Sequence, residues 1–158
     1  MKIELKNLKY AAFASEETFC FNASVYIDGK KEGTAENEGR GGCCGIHPFA
    51  LVEKLNAYAK TLEPITSDMG GKPFTYQPDA DSVITGLVSD ALTAKDLKKA
   101  LRNRILFARS GEVRQTRTIT KAQLTHELAN PEIKAKFKAD EILNLMPFDA
   151  ALKIFTAA

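Results

Sequence analysis

The stretch TFCFNASVYIDGKKEGTAENE, residues 18–38, decides the fold because it combines alternating apolar residues with a tight-turn dipeptide, which together predict a β-hairpin. Apolar side chains recur at every second position from Phe19 to Ile27, in a run rich in the β-branched and aromatic residues that favour strands. Asp28-Gly29 follows, and this dipeptide tolerates the positive φ of a tight turn. Residues 32–38 are therefore predicted to return antiparallel to the first strand.

The segments on either side of the hairpin extend this prediction into a sheet covered by helices. Residues 2–13 begin with alternating charged and apolar side chains, which indicates a half-buried strand. Apolar residues at helical spacing follow Pro48 and predict a helix over 48–62, which ends before Pro64. The N-terminal part is thus expected to be a three-stranded antiparallel sheet packed by helices.

The C-terminal half shows mainly helical patterns interrupted by one hairpin. Asp79 or Asp81 is predicted to cap a helix, and the residues 93–96, TAKD, have the layout of a second helix start. Short apolar and β-branched runs around the turn at Ser110-Gly111 predict a second β-hairpin over 105–119. Further helices are predicted to start at Thr120, with Gln123 as its capping partner, at Pro131 and at Pro147.

These patterns predict an α+β fold in one domain, 1–158, built from two lobes. The sheet and its helix occupy residues 1–63, and the mostly helical part with its hairpin occupies residues 80–158. The joint is residues 64–79, the longest predicted loop, which holds three prolines and the pair Gly70-Gly71.

Composition narrows the class of protein. The chain has 158 residues, 44% of them apolar and 27% charged, which is typical of a globular domain. The alternating N-terminus MKIELKNLKY does not have the pattern expected of a signal peptide, and no apolar run is long enough to cross a membrane. Three cysteines, two of them adjacent, indicate free thiols in a reducing compartment. A soluble cytoplasmic protein is expected.

The first candidate site is the glycine- and cysteine-rich corner, residues 39–47, GRGGCCGIH. Its glycines would allow a ligand to approach the backbone closely, and a thiol beside the following helix would be favoured as a nucleophile, with His47 as its base. Phosphate-loop and zinc-ligand spacings are missing, so neither a cofactor nor a metal is expected, and a plain strand-to-helix connection is favoured. The candidate ligand-binding residues are Arg40, Gly41, Gly42, Cys43, Cys44 and His47.

The second candidate site is a basic segment. Residues 95–121 carry a net charge of +7, whereas residues 1–94 carry −4 and residues 122–158 carry −1. Lysine, arginine and threonine side chains suit phosphate oxygens, although a solvated helix surface is the favoured interpretation of such a charge run. The candidate residues for binding nucleic acid or a protein partner are Lys98, Lys99, Arg102, Arg104, Arg109, Arg114 and Arg117.

Five stretches of the chain carry distinctive motifs: SEETFCF (15–21), VYIDGKKEGTAENEGRGG (25–42), LNAYAKTLEP (55–64), ALRNRILF (100–107) and LNLMPFDAALKIF (143–155). Together they resemble a group of small proteins encoded by phages, prophages and plasmids. The similarity runs over most of the chain, and its motifs imply no known chemistry and provide no catalytic residues to carry over. It implies an origin on a mobile element in a bacterial host cell, and an action by binding host proteins or nucleic acid.

Three hypotheses follow, ranked in this order. The first is a non-enzymatic accessory protein of a phage or mobile element that binds and modulates a host protein, such as a defence or nucleic-acid-handling factor. Its binding surface would be the face of the sheet with the loop 64–80, or the basic segment over residues 95–117. The second is a nucleic-acid-binding protein that uses the basic segment over residues 95–117. The third is a small-ligand binder or thiol enzyme at the corner, residues 39–47.

Overall fold

The computed structural model describes residues 1–68 and 70–157 and confirms the predicted α+β class. Met69, which belongs to the predicted loop 64–79, and Ala158 lie outside the described residues. The chain separates into two compact units, Met1–Asp90 and Ala91–Ala158, whose boundary falls inside one helix. The segment 64–79, the predicted joint between lobes, lies within the first unit.

The first unit contains a four-stranded antiparallel sheet in the order β1-β2-β3-β4. The prediction of three strands was wrong because the edge strand β4 has three residues, too few to show an alternating pattern. The elements of this unit are β1 (Ile3–Tyr10), β2 (Cys20–Ile27), β3 (Lys30–Glu38), β4 (Gly45–His47), α1 (Phe49–Ala59), β5 (Ile65–Asp68), β6 (Pro73–Tyr76) and the first half of α2 (Ala80–Ala100).

The predicted hairpin is confirmed as β2 and β3, and its alternation decides which face is buried. Opposite residues share a face of an antiparallel pair, and the buried pairs are Phe21 with Asn37 and Ala23 with Ala35. The next pair on this face places Val25 opposite Gly33. A Cβ at Gly33 would clash with the His47 carbonyl and would lie 2.8 Å from Leu51 Cδ2, so this glycine lets the start of α1 approach β3.

Helices α1 and α2 supply the rest of the buried apolar surface of this unit. The Asn56 side chain of α1 accepts a hydrogen bond from the Ala80 amide at 2.8 Å, which fixes the first turn of α2. Asp79 caps that turn by accepting from the Ser82 amide at 2.9 Å. Chiefly this bond holds the pKa of Asp79 below its ordinary value. The buried helix residues are Leu51, Leu55, Ala59, Ala80, Val83, Ile84 and Val88.

Two further predictions were wrong. Helix α2 is continuous from Ala80 to Ala100, so the residues 93–96 lie within it and do not begin a helix. The predicted loop contains the two-stranded hairpin β5–β6, with Ile65 opposite Tyr76. Propensity did not reveal these strands, because prolines and glycines flank them and a hairpin of two four-residue strands carries a weak signal.

The second unit contains the predicted second hairpin, but in a three-stranded sheet of order β8-β7-β9. Strand β7 lies between two apolar clusters, one containing Ile105 and Phe107 and the other containing Leu106, which explains its unbroken apolar sequence. The capping box at Thr120 and Gln123 is confirmed. The elements of this unit are the end of α2, β7 (Leu106–Arg109), β8 (Glu112–Gln115), α3 (Lys121–Leu128), α4 (Ile133–Phe137), β9 (Glu141–Ile142) and α5 (Phe148–Ala157).

Over residues 1–68 and 70–157, no helix has both the length and the apolar character needed to cross a bilayer.

Candidate functional site

The corner between β3 and β4 is held by Asn37, the one polar residue that is buried within the described chain. Its side-chain oxygen accepts from the Thr18 hydroxyl and from the Gly39 amide, both at 2.8 Å, and its nitrogen donates to the Gly42 carbonyl at 3.1 Å. The Gly39 carbonyl in turn accepts from the Glu16 amide at 2.9 Å. The loop that connects β1 to β2 is thereby fastened to the corner.

A cleft of about 400 Å³ opens on one side of the corner. The apolar wall of the cleft consists of Tyr10, Phe19 and Phe21. The rings of Tyr10 and Phe19 pack edge to face, with their centroids 6.1 Å apart. Polar groups converge on the same space, and they include three carboxyl groups. These polar residues are Ser15, Glu16, Glu17, Thr18, Asn37, Cys44, Asp81 and Thr85.

Asp81 connects the corner to the first turn of α2. The sequence left open whether Asp79 or Asp81 caps this helix, and because Asp79 does so, the Asp81 carboxylate is directed to the cleft. Its Oδ1 accepts a hydrogen bond from the Cys44 amide at 2.5 Å. One turn further on, the Thr85 hydroxyl lies 3.7 Å from Cys44 Sγ.

The environment of Cys44 opposes thiolate chemistry. Burial, followed by the neighbouring Asp81 carboxylate, raises the pKa of the Cys44 thiol to about 11. The thiol is therefore protonated at neutral pH, and a protonated thiol is a poor nucleophile.

The structure separates the predicted corner residues into two groups. Gly42 and Cys44 line the cleft described above, whereas the other side of the corner forms a second groove of about 490 Å³. This groove contains Arg40, Gly41 and Cys43.

His47, the predicted base, lies apart in β4, where it is exposed and pairs with Thr34. All three cysteines are free, and no group of three potential ligands that could hold a metal occurs in the part of the chain that the structure describes.

The basic segment is distributed over different surfaces of the second unit. Lys98, Lys99 and Arg102 are exposed, and their spacing places them, together with the exposed Lys95, on one side of the last turns of α2 and the turn that follows it. Lys98 Nζ lies 4.9 Å from the centroid of the Phe148 ring. Lys99 shares a groove of about 280 Å³ with Arg104, whose guanidinium donates to Gln115 at 2.9 Å.

The arginines of the second hairpin do not join this stripe. Arg114 lies opposite Phe107 on one face of the sheet and forms an exposed ion pair with Glu112 at 2.9 Å. Arg109 lies opposite the same Glu112 in the strand pairing, so Arg109 and Arg114 both have this acidic residue as a neighbour. Arg117 is exposed beyond the end of β8. The predicted set of seven cations is therefore not one continuous surface.

The hairpin β5–β6 lies in the segment that the first hypothesis includes in a protein-binding surface, although the sequence predicted a loop there and not two strands. Ile65, Phe74 and Tyr76 lie on one face, because Ile65 pairs with Tyr76 and Ser67 pairs with Phe74. The two aromatic rings stack with centroids 5.7 Å apart. Ile65 is 39% exposed, and Phe74 and Tyr76 are each 41% exposed.

The base of this hairpin is fixed to the body of the unit. The Gln77 side chain donates to the Ala59 carbonyl at 2.9 Å and to the Leu62 carbonyl at 3.0 Å. Pro78 is buried directly after it. The hairpin is thus an anchored arm with an exposed aromatic face.

Comparison of the chain with protein-family models, with curated proteins and with solved structures found no match.

Proposed function

We propose that this chain is a non-enzymatic accessory protein that binds and modulates another protein through the β5–β6 arm. The observation that carries the proposal is the exposed apolar face formed by Ile65, Phe74 and Tyr76. Large aromatic side chains on a fixed backbone contribute contact area at a low cost in conformational entropy, and they are enriched among residues that dominate protein interfaces.

The backbone of the arm also favours a protein partner. Each of its two strands has a single neighbour among the described residues, so each presents an unpaired edge. Unpaired edges accept an extended segment of another chain, while side-chain pockets beside them select its apolar residues. By contrast, the long edge strand β1 carries Lys2, Lys6 and Lys9 on or beside it and has a register shift between Lys6 and Lys9, features that oppose pairing.

The partner we propose is a host protein that offers such an extended apolar segment. The resemblance to proteins of phages and plasmids supports an origin on a mobile element and a host partner. The protonated Cys44 thiol supports a binding role over nucleophilic catalysis at the corner.

The proposal is tested by capturing partners of the tagged protein from a nuclease-treated bacterial lysate and then measuring affinity with the purified partner. The test variant is Phe74→Ser with Tyr76→Ser, which removes the aromatic face. Loss of a dominant interface aromatic costs about 2 kcal/mol, so we expect the double variant to bind at least about 30-fold more weakly. Phe49→Ser is the matched control, because Phe49 is 74% exposed on α1, outside the arm.

The control should bind within about twofold of the unchanged protein, and circular dichroism should show that all variants fold. Equal binding by the double variant would refute the role of the arm. If a lysate without nuclease yields only nucleic acid, the partner is nucleic acid and not a host protein. If light scattering shows self-association that the double variant abolishes, the partner is a second copy of this chain.

A further inference from the structure

The cleft beside the corner is a second feature with the properties of a binding site, and it is independent of the proposed function. Its volume of about 400 Å³ lies within the range of small-molecule sites. Its walls combine aromatic rings with a few polar groups that converge on one space, which is the usual composition of such sites.

The cleft is built from parts that hold one another in place. Asn37 fastens the corner to Thr18, and the Asp81 carboxylate fastens the Cys44 amide to α2. Ser15 accepts from the Cys20 amide at 2.8 Å and donates to the Ala11 carbonyl at 3.0 Å, so the loop that forms the mouth is tied at its base. A cleft held by such bonds loses little entropy when a ligand enters.

Charge decides which ligand fits. Glu16 and Glu17 are exposed residues of the cleft, Asp81 lies at its α2 side, and its described lining contains no lysine, arginine or histidine. The Glu17 carboxylate bends over the corner, since a Cβ at Gly41 would lie 2.5 Å from Glu17 Oε2. This space therefore has a negative potential, which opposes phosphates and carboxylates.

The aromatic wall of the cleft also favours a positively charged ligand. The faces of aromatic rings attract organic cations, and the attraction adds to that of carboxylates when the cation is partly removed from water. Tyr10 and Phe19 provide such rings at the cleft. From the cavity, its aromatic wall and its three carboxylates, we propose that the cleft binds a small organic cation with a planar apolar body.

The test uses benzamidinium, a planar cation, and benzamide, a neutral molecule of nearly the same shape. Backbone amide spectra of the labelled full-length chain are recorded during titration with each. We expect saturable 1:1 binding of benzamidinium with shifts at residues 16–19, 42–44 and 81–85, weakened by salt. Benzamide should bind at least about tenfold more weakly, because it lacks the charge that distinguishes the cleft.

Two variants test the carboxylates without changing their shape. Asp81→Asn keeps the oxygen that accepts from the Cys44 amide, and Glu17→Gln alters an exposed residue. Each variant should lower the affinity for benzamidinium at least about threefold and leave the affinity for benzamide unchanged. Glu4→Gln is the control, because Glu4 lies in β1 outside the cleft lining.

Equal affinity for the two probes, shifts that do not saturate, or shifts confined to other residues would overturn the proposal. If Asp81→Asn disturbs the fold, the result with Glu17→Gln decides. Neither outcome depends on whether the β5–β6 arm binds a protein.

Discussion

The rate at which Cys44 reacts is the most direct test of the thiol-enzyme hypothesis, because that hypothesis requires a thiolate at the corner near neutral pH. Burial and Asp81 raise the pKa of this thiol from an ordinary value of 9.0 to about 11. At pH 7 the thiolate fraction then falls about 100-fold, while the higher basicity makes each thiolate about eightfold more nucleophilic. The net expectation is a reaction about tenfold slower in the folded protein than in the unfolded chain.

The assay uses the variant Cys20→Ser with Cys43→Ser, which leaves Cys44 as the single thiol. Exchange with the neutral reagent 4,4′-dithiodipyridine releases a coloured thiopyridone, so its rate is read directly. The rate in the folded state should rise about tenfold for each pH unit between pH 7 and pH 10, because the thiolate is the reacting species. The same variant unfolded in urea is the reference, and its rate should level off near pH 9.

The pKa shift also predicts how stability changes with pH. Because the folded pKa is raised, the folded protein keeps the Cys44 proton after the unfolded chain has lost it. The contribution of Cys44 to the free energy of unfolding is therefore complete below pH 9 and is lost as the pH rises toward about 11. Cys44→Ser should remove this part of the pH dependence.

A folded-state rate at or above the unfolded rate, or a profile that levels off below pH 8, would refute this reasoning. It would mean that the corner stabilises a thiolate and would restore the thiol-enzyme hypothesis. The double variant Cys43→Ser with Cys44→Ser would then be expected to fold and to lack activity.

Two further predictions concern the sheet and the basic segment. Gly33→Ala should destabilise the protein by about 2–3 kcal/mol in thermal or urea unfolding, because the added methyl group would meet the His47 carbonyl and Leu51. Gly86→Ala, in open space on α2, should instead stabilise by about 0.5–1 kcal/mol, and destabilisation by both would show that packing is not the cause. For nucleic acid, the four clustered cations Lys95, Lys98, Lys99 and Arg102 predict a logarithmic salt dependence of duplex-DNA affinity with a slope of about −3.6, whereas all seven predicted cations would give about −6.3. Lys99→Glu with Arg102→Glu should flatten the slope and weaken binding equally for all sequences, and a slope near −6 would contradict the dispersal of the hairpin arginines.

The local elements with strong patterns were predictable from sequence alone. The hairpin β2–β3 was predictable because Asp28-Gly29 permits the turn and the alternation from Phe19 to Ile27 defines one buried face. The capping box at Thr120 was predictable because both of its hydrogen bonds join residues three positions apart. The signals for such elements are contained within a few neighbouring residues.

The candidate sites were predictable only in part, because their members come from distant parts of the chain. The glycine-rich corner pointed to Gly42 and Cys44, but nothing in the sequence indicated that Asp81 and Thr85 would complete a cleft with them. The basic run suggested one surface, whereas strand pairing places Arg114 opposite Phe107 and beside Glu112.

The sequence by itself determined the α+β class, the central hairpin and the starts of several helices, because these depend on short-range sterics and on periodic burial. Only the tertiary structure decided that Gly45–His47 forms a fourth strand, that α2 continues through the residues 93–96 and that β5 and β6 pair as an anchored arm. These features depend on which distant backbone groups become partners. That choice is made by packing and hydrogen bonding across the whole fold, and no local pattern encodes it.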